Sequence, residues 1–206
     1  MLKIVYQRGF ISYADGLDLQ QSHVEAILAG TGGDTVLLLE HQPVYTIGRL
    51  RDTSSLRDPT SLPYPVHETN RGGQATYHGP GQIVGYPILH LAPRGKDLHA
   101  HLRKLEDALI GACLYFGVNA NRRDGLTGVW VEDRKLASIG VGVRKWVSMH
   151  GFAINITEES LPPFSMITPC GLERVSMTCL QTETHGPITI QAAAEIISQE
   201  LWKQLA

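Results

Sequence analysis

The stretch Arg71-Gly72-Gly73-Gln74-Ala75-Thr76-Tyr77-His78-Gly79-Pro80-Gly81-Gln82 puts five glycines or prolines into twelve residues, interleaved with hydrogen-bonding side chains. Paired glycines let a backbone turn where a Cβ would clash, and let it approach a ligand closely. Donors beside such a loop can hold a carbonyl, an amide or a phosphate. An ordinary hairpin connection has a similar composition, so the segment alone leaves both readings open. It contains neither GxGxxG nor GK[ST], the marks of a dinucleotide fingerprint and a phosphate loop.

Cys170 is the second candidate, within Ile167-Thr168-Pro169-Cys170-Gly171-Leu172. A thiol between proline and glycine belongs to a turn. Pro169 fixes φ ahead of it, and Gly171 leaves the following N–H open to a reacting oxyanion. Cys113 lies on an apolar helical face and Cys179 alternates with polar neighbours, so both read as structural. A free thiol with a pKa near 8.5 is only about 3% thiolate at pH 7. Lowering that pKa by about 1.5 units makes it half thiolate, a gain of about 2 kcal/mol. The thiol therefore needs a partner. His78 and His150 sit in glycine-containing segments and qualify, whereas His99 and His101 open a helix and read as solvated. Lys135 is the less usual partner. At the start of a strand continuing Ala137-Ser138-Ile139-Gly140, its amine could be partly desolvated; it could also be a solvated hairpin residue.

The composition bounds what these groups can serve. With 206 residues, 43% apolar and 18% charged, the chain has the proportions of one globular domain spanning 1–206. A net charge of −2 argues against bulk binding to nucleic acid or anionic lipid. No apolar run reaches the ~18 residues of a membrane span. Met1 to Arg8 is too polar for a signal peptide, and three cysteines make no disulfide framework, so a cytoplasmic protein with free thiols is expected. No motif calls for a metal or a cofactor.

The elements that must position the candidates follow from periodicity and punctuation. Leu2 to Gln7 reads as a strand, and a helix from Ser12 closes at Gly30 or Gly32-Gly33. Thr35 to Leu39 reads as a buried strand, Val44 to Ile47 as another, and residues 48–65 as irregular. Asp97 caps a second helix whose face carries Leu98, Leu102, Leu105, Leu109, Cys113 and Phe116, ended by Gly117. Strands follow at Gly128 to Glu132, Leu136 to Arg144 and Val147 to Ile156, the first two joined by a polar hairpin turn. A last helix runs from about Thr189 to Leu205. This order predicts an α+β domain, a mixed sheet flanked by helices.

Three segments together resemble one family. RGGQATYHGPGQ at 71–82, RKLASIGVGVR at 134–144 with MHGFAIN at 149–155, and ITPCG at 167–171 resemble the octanoyltransferases of lipoate synthesis. The resemblance runs in order from about Val36 to Leu180. It implies the catalytic-domain fold shared with biotin and lipoate protein ligases, in agreement with the pattern above. It implies Cys170 as nucleophile and Lys135 as its partner. It implies substrate contacts from Arg71, Gly72, Gly73, Gln74, Ala75, Thr76, Tyr77 and His78, from Ser138, Ile139 and Gly140, and from Gly151, Phe152 and Ala153. The implied donor is octanoyl-acyl carrier protein. The implied acceptors are lipoyl domains of 2-oxoacid dehydrogenase acyltransferase subunits and the glycine cleavage H protein. No nucleotide is required.

Two other readings remain. An ATP-dependent lipoate or biotin ligase has the same fold but no use for a nucleophilic cysteine. A non-catalytic acyl-binding module would use the glycines and leave Cys170 replaceable. An acidic carrier would dock on local basic residues, with Arg49, Arg51, Arg71, Arg122, Arg123, Arg144 and Lys145 as candidates.

Overall fold

The structure is a computed structural model that describes residues 1–169, 175–184 and 186–206. Strands β1 (Lys3–Ile11) and β2 (Thr35–His41) run parallel, and helix α1 (Tyr13–Leu28) makes the crossover between them. Parallel neighbours need such a crossover because a tight turn cannot join them. Ser12 starts the helix, its Oγ accepting from the Asp15 N–H at 3.1 Å. The chain continues through β3 (Val44–Ile47), two short 3₁₀ turns, β4 (Val66–Glu68) and β5 (Thr76–His78). It then forms β6 (Gln82–Ile88), α2 (Leu98–Tyr115), β7 (Asn121–Arg123), β8 (Leu126–Val131), β9 (Arg134–Arg144) and β10 (Val147–Asn155). Helices α3 (Leu180–Thr184) and α4 (Ile190–Leu205) complete it.

The large sheet has the order β1-β2-β6-β10-β9-β8-β7, antiparallel except for its first pair, and β4-β3-β5 form a second sheet. Mixed sheet and flanking helices are the α+β architecture expected from the sequence. Alternate residues of the central strands serve two cores. Val36, Leu38, Ile83, Phe152 and Ile154 pack with α2 and α4. Leu37, Leu39, Val84, Tyr86 and Ala153 form the opposite cluster with Val24 of α1. A strand buried on both faces reads as a continuous apolar run, which is why Thr35 to Leu39 was legible.

Several features differ from expectation, among them the short strands β4, β5 and β7, which were not foreseen. Strand β6 was not foreseen, because Gly85 and Pro87 are strand breakers in isolation. The Pro87 carbonyl accepts from Ser148 Oγ of β10 at 2.7 Å, so its missing N–H also faces β10, where regular pairing has ended at Gly85. Strand β9 begins at Arg134, one turn of pleat earlier than expected, which places Lys135 inside the ladder. His101 is buried and not solvated, since it lies four residues before Leu105 on the packed stripe of α2.

Glu106 joins helix to sheet. Its carboxylate is buried, and Oε1 accepts from the Gly128 N–H of β8 at 3.1 Å. Oε2 accepts from Arg103 at 2.6 Å and from Arg122 at 2.8 Å. Truncation would strand a buried N–H and release both guanidinium groups. Glu106→Ala is expected to lower unfolding stability by about 2–4 kcal/mol, and Glu106→Gln, which keeps an acceptor for Gly128, by about half as much. Urea denaturation of the two variants measures the difference.

Candidate functional site

Regular pairing between β8 and β9 ends at Ala137. Beyond it, the glycine-rich loop meets the edge of β9, with the Gly72 N–H donating to the Val141 carbonyl at 3.1 Å. The approach is close enough that a Cβ on Gly140 would lie 2.6 Å from the Gly72 carbonyl oxygen. Two cavities meet at this seam and share Gly72, Gly73, Ile139 and Gly140. The first lies on the α1 side and is lined further by Tyr13, Arg71, Thr76, His78, Val84, Tyr86, Ser138, His150, Gly151, Phe152 and Ala153. The second is lined by Arg49, Leu98, Leu102, Gly125, Leu126, Thr127, Lys135 and Val141.

Of the contacts the resemblance implied, Arg71, Gly72, Gly73, Thr76, His78, Ser138, Ile139, Gly140, Gly151, Phe152 and Ala153 come together around the first cavity. Gln74, Ala75 and Tyr77 do not line it. Gln74 donates to Asp52 at 3.0 Å, the Ala75 N–H donates to Ser55 Oγ at 3.1 Å, and Tyr77 packs between Tyr45 and Phe164. These three hold the loop from behind. Alternation with Thr76 and His78 explains Ala75 and Tyr77, since neighbours along an extended chain face opposite sides, whereas Gln74, before the strand, is turned away by its bond to Asp52. Arg71 also turns inward, donating to Thr46, Gly72 and Gln74 from a buried position.

Lys135 lines the second cavity and is only 2% exposed, which removes the reading of a solvated hairpin residue. Its Nζ lies 5.2 Å from the centre of the Trp130 ring. Its stem passes Gly128, where a Cβ would come within 3.0 Å of Cε, so the glycine makes room for it. The Lys135 backbone pairs with the segment following residue 174, donating to Ser176 O at 2.8 Å and accepting from the Thr178 N–H at 3.0 Å. Cys170 and Gly171 lie outside the described residues, as does His185. Cys113 and Cys179 are buried free thiols, and burial pushes Cys113 up to about 12.

His78 and His150 line the first cavity, apart from Lys135. His78 Nδ1 donates to Gln82 Oε1 at 2.8 Å, Gln82 donates to Asn155 at 2.9 Å, and Asn155 donates to Thr178 O at 2.9 Å. This buried chain of amides ties the cavity wall to the same segment that pairs with Lys135. His150 pairs with Asn70 at 2.6 Å. Sequence reasoning missed Tyr13, His41, Val84 and Tyr86. The alternation of Val84, Tyr86 and Ile88 was the available signal, obscured by Gly85 and Pro87. The basic candidates also divide. Arg122 is held by Glu106 and Asp107, Arg51 by Glu68, and Arg144 lies 3.9 Å from Glu25. Arg123 covers the Trp130 ring, and Arg49 is exposed at the rim of the Lys135 cavity.

Residues 12–202 match the lipoyl protein ligase A/B catalytic domain. The chain belongs to that family. It is 50% identical over 188 residues to an octanoyltransferase of Geobacter sulfurreducens, covering 91% of this chain and 78% of the relative. It is 48% identical over 190 residues to an octanoyltransferase of Citrifermentans bemidjiense, covering 92% and 91%. With these relatives comes the class of activity, and the chain is an acyltransferase. Among solved structures, lipoate-protein ligase A bound with ATP superposes with a TM-score of 0.73 at 15% identity, covering 99% of this chain and 84% of that one. The bipartite lipoate protein ligase of Thermoplasma acidophilum gives 0.70 at 15% identity, covering 99% and 82%. At that identity the likeness is one of fold. No helix among the described residues is long and apolar enough to cross a membrane, and no described group of His, Cys, Asp or Glu could hold a metal ion.

Burial keeps four histidines of this lipoyl-ligase fold neutral, His41, His78, His101 and His150. Desolvation lowers His41, His101 and His150 from 6.5 to about 4, and His78 to about 3. Unfolding returns each to its ordinary value, so between pH 6.5 and about 4 the unfolded chain binds more protons than the folded one. Stability therefore rises with pH across that window and is lost as pH falls through it, by about 1.4 kcal/mol per pH unit for each histidine. Denaturation midpoints measured from pH 7 to pH 4 should fall steeply; a flat profile would contradict burial of neutral imidazoles.

Proposed function

We propose that the chain transfers an octanoyl group from an acyl carrier protein to a lysine of a lipoyl domain, through a thioester on Cys170, as a single catalytic domain. The observation that carries this reading is the burial of Lys135 beside the glycine seam, with its backbone paired to the segment after residue 174. An ammonium so placed is suited to stabilise a nearby thiolate. The octanoyltransferase names of the relatives support the acyl group. A lipoyl domain accompanies the Thermoplasma acidophilum ligase, which supports the acceptor class.

The chemistry proceeds in two steps. The Cys170 thiolate attacks the carrier thioester carbonyl; a new C–S bond forms, the old one breaks, and the carrier thiolate takes a proton from the Lys135 ammonium. The acceptor amine then attacks the acyl-enzyme. An amide bond forms, the Cys170 thiolate leaves, and neutral Lys135 takes the proton the amine loses. The first step exchanges equivalent thioesters and the second runs downhill to an amide, so no nucleotide is consumed. Around the tail, each buried CH₂ contributes about 0.8 kcal/mol, and Gly72, Gly73, Gly140, Gly151 and Ala153 leave it room.

Intact mass after incubation with octanoyl-carrier tests the central step. One octanoyl adduct is expected, lost in Cys170→Ala and kept in Cys113→Ala; normal turnover by Cys170→Ala would sink the mechanism. Pyrophosphate release from ATP and free octanoate would point instead to a ligase. Alkylation of Cys170 should have a pH midpoint below that of a free thiol, rising in Lys135→Ala, with the midpoint belonging to the coupled pair. An unchanged profile removes Lys135 from thiolate stabilisation.

Docking of an acidic carrier falls to Arg49 and Lys145, which are exposed and make no ion pair among the described residues. Arg49→Glu should slow transfer from the carrier, more at low salt than at high, and leave transfer from a small octanoyl thioester nearly unchanged. Equal losses with both donors would assign Arg49 to the site itself.

A further inference from the structure

We propose that Tyr86, held by His41 and backed by Tyr13, is the stop that limits the acyl chain to about eight carbons. The inference rests on the reading of the first cavity as the acyl site. That cavity crosses three strands on the α1 face of the sheet. Gly140 of β9 pairs with Gly151 of β10, and Ala153 of β10 pairs with both Ser138 of β9 and Val84 of β6. Val84 and Tyr86 then share one face of β6. A tail entering at the seam of Gly72 and Gly140 meets small residues on two strands and a large ring on the third.

The span matches the tail. Two inter-strand steps of about 4.8 Å carry the path about 10 Å from β9 to β6. Carbon–carbon bonds of about 1.5 Å at about 111° advance an extended chain about 1.25 Å each. The seven bonds of an octanoyl group therefore reach about 9 Å, and the eleven of a dodecanoyl group about 14 Å. The longer chain needs a third step, toward β2, and the far wall stands in its way.

That wall is rigid. Tyr86 is 3% exposed, and its hydroxyl donates to His41 Nε2 at 2.6 Å. His41 Nδ1 in turn donates to the Ile11 carbonyl at 3.2 Å, which fixes the tautomer. Tyr13 packs 5.2 Å from the His41 ring and stacks 6.1 Å from His78. Behind Tyr86, Leu37 and Leu39 of β2 fill the core. Swinging the ring aside breaks a buried hydrogen bond and opens a space with nothing to fill it.

The test compares kcat/KM for octanoyl and dodecanoyl thioesters of a small thiol, in wild type, Tyr86→Leu, Tyr13→Leu and Tyr86→Phe. A ratio of two substrates within one preparation is independent of the folded fraction. Tyr86→Leu should raise the dodecanoyl-to-octanoyl ratio at least tenfold, and Tyr13→Leu in the same direction by less. Tyr86→Phe, which keeps the ring, should stay within about threefold of wild type. An unchanged ratio in both leucine variants overturns the stop while leaving the transferase reading intact. Wild-type protein that transfers no octanoyl group overturns both. Should Tyr86→Leu fail to fold, Ala153→Leu adds bulk midway along the path. It should raise the hexanoyl-to-octanoyl ratio at least fivefold, and no change there overturns the proposal.

Discussion

From Ser138 onward, strand β9 has lost regular pairing with β8, and its open edge is met by the backbone of Gly72. The rest of the site depends on that substitution of a loop for a strand. A full neighbouring strand would have sealed the sheet and covered both faces with side chains. A loop with two consecutive glycines satisfies the exposed carbonyl of Val141 while adding almost no bulk. Space therefore remains on both sides of the same seam, toward α1 and toward α2. The large sheet supplies rigidity, and the interrupted edge supplies access. An unpaired edge is otherwise an invitation to strand pairing between chains, so the loop also protects the fold.

The two sides differ in electrostatic character. On the α1 side, histidines and tyrosines are buried among apolar groups, so the histidines are held neutral and the tyrosines protonated. Apart from Arg71, whose guanidinium donates to Thr46 and to backbone carbonyls of its own loop, such a wall is polar in composition yet uncharged against an alkyl chain. On the α2 side, Lys135 is buried against the face of Trp130, and the Arg123 guanidinium lies 5.0 Å from the same ring. A ring face attracts cations through its quadrupole, which offsets part of the cost of desolvating them. The amides of Gln82 and Asn155 run between the sides and hold the segment at Thr178 in register with Lys135. A polar chain in a dry interior is stable only when every member is paired, and its geometry is correspondingly fixed.

Much of this was legible in the residues. The helix at Asp97 was marked by its cap, the helix from Ser12 by its apolar stripe, and the buried strand at Thr35 by its apolar run. Gly72, Gly73, Gly140 and Gly151 stood out because glycine has few uses other than turning and close approach. What could not be read were positions whose meaning depends on a distant partner. Tyr86 sits between a glycine and a proline that hide its strand, and Tyr13 looks like any first-turn residue of an amphipathic helix. His101 reads as polar until the stripe containing Leu105 is laid against α4. Gln74, Ala75 and Tyr77 belong to the same recognisable segment as Arg71 and His78. The pleat turns Ala75 and Tyr77 to the bracing side, and a bond to Asp52 turns Gln74 there.

The inward turn of Arg71 bears on the choice between chemistries that share this fold. A ligase that builds an acyl-adenylate must neutralise phosphate charge, and arginine is suited to that through its planar fork of donors. Here the guanidinium donates to Thr46 and to the carbonyls of Gly72 and Gln74, folding the loop on itself. Its charge shapes the seam and faces backbone oxygens, while the loop presents backbone to the cavity. A thioester substrate asks for that arrangement. Under the proposed transfer the acyl group arrives already activated, so no phosphate has to be held while it is made reactive. What remains is to exclude water, receive an uncharged tail and hold a cation where sulfur carries negative charge. A loop of glycines, a pocket walled by neutral histidines and tyrosines, and a buried lysine are suited to those three needs.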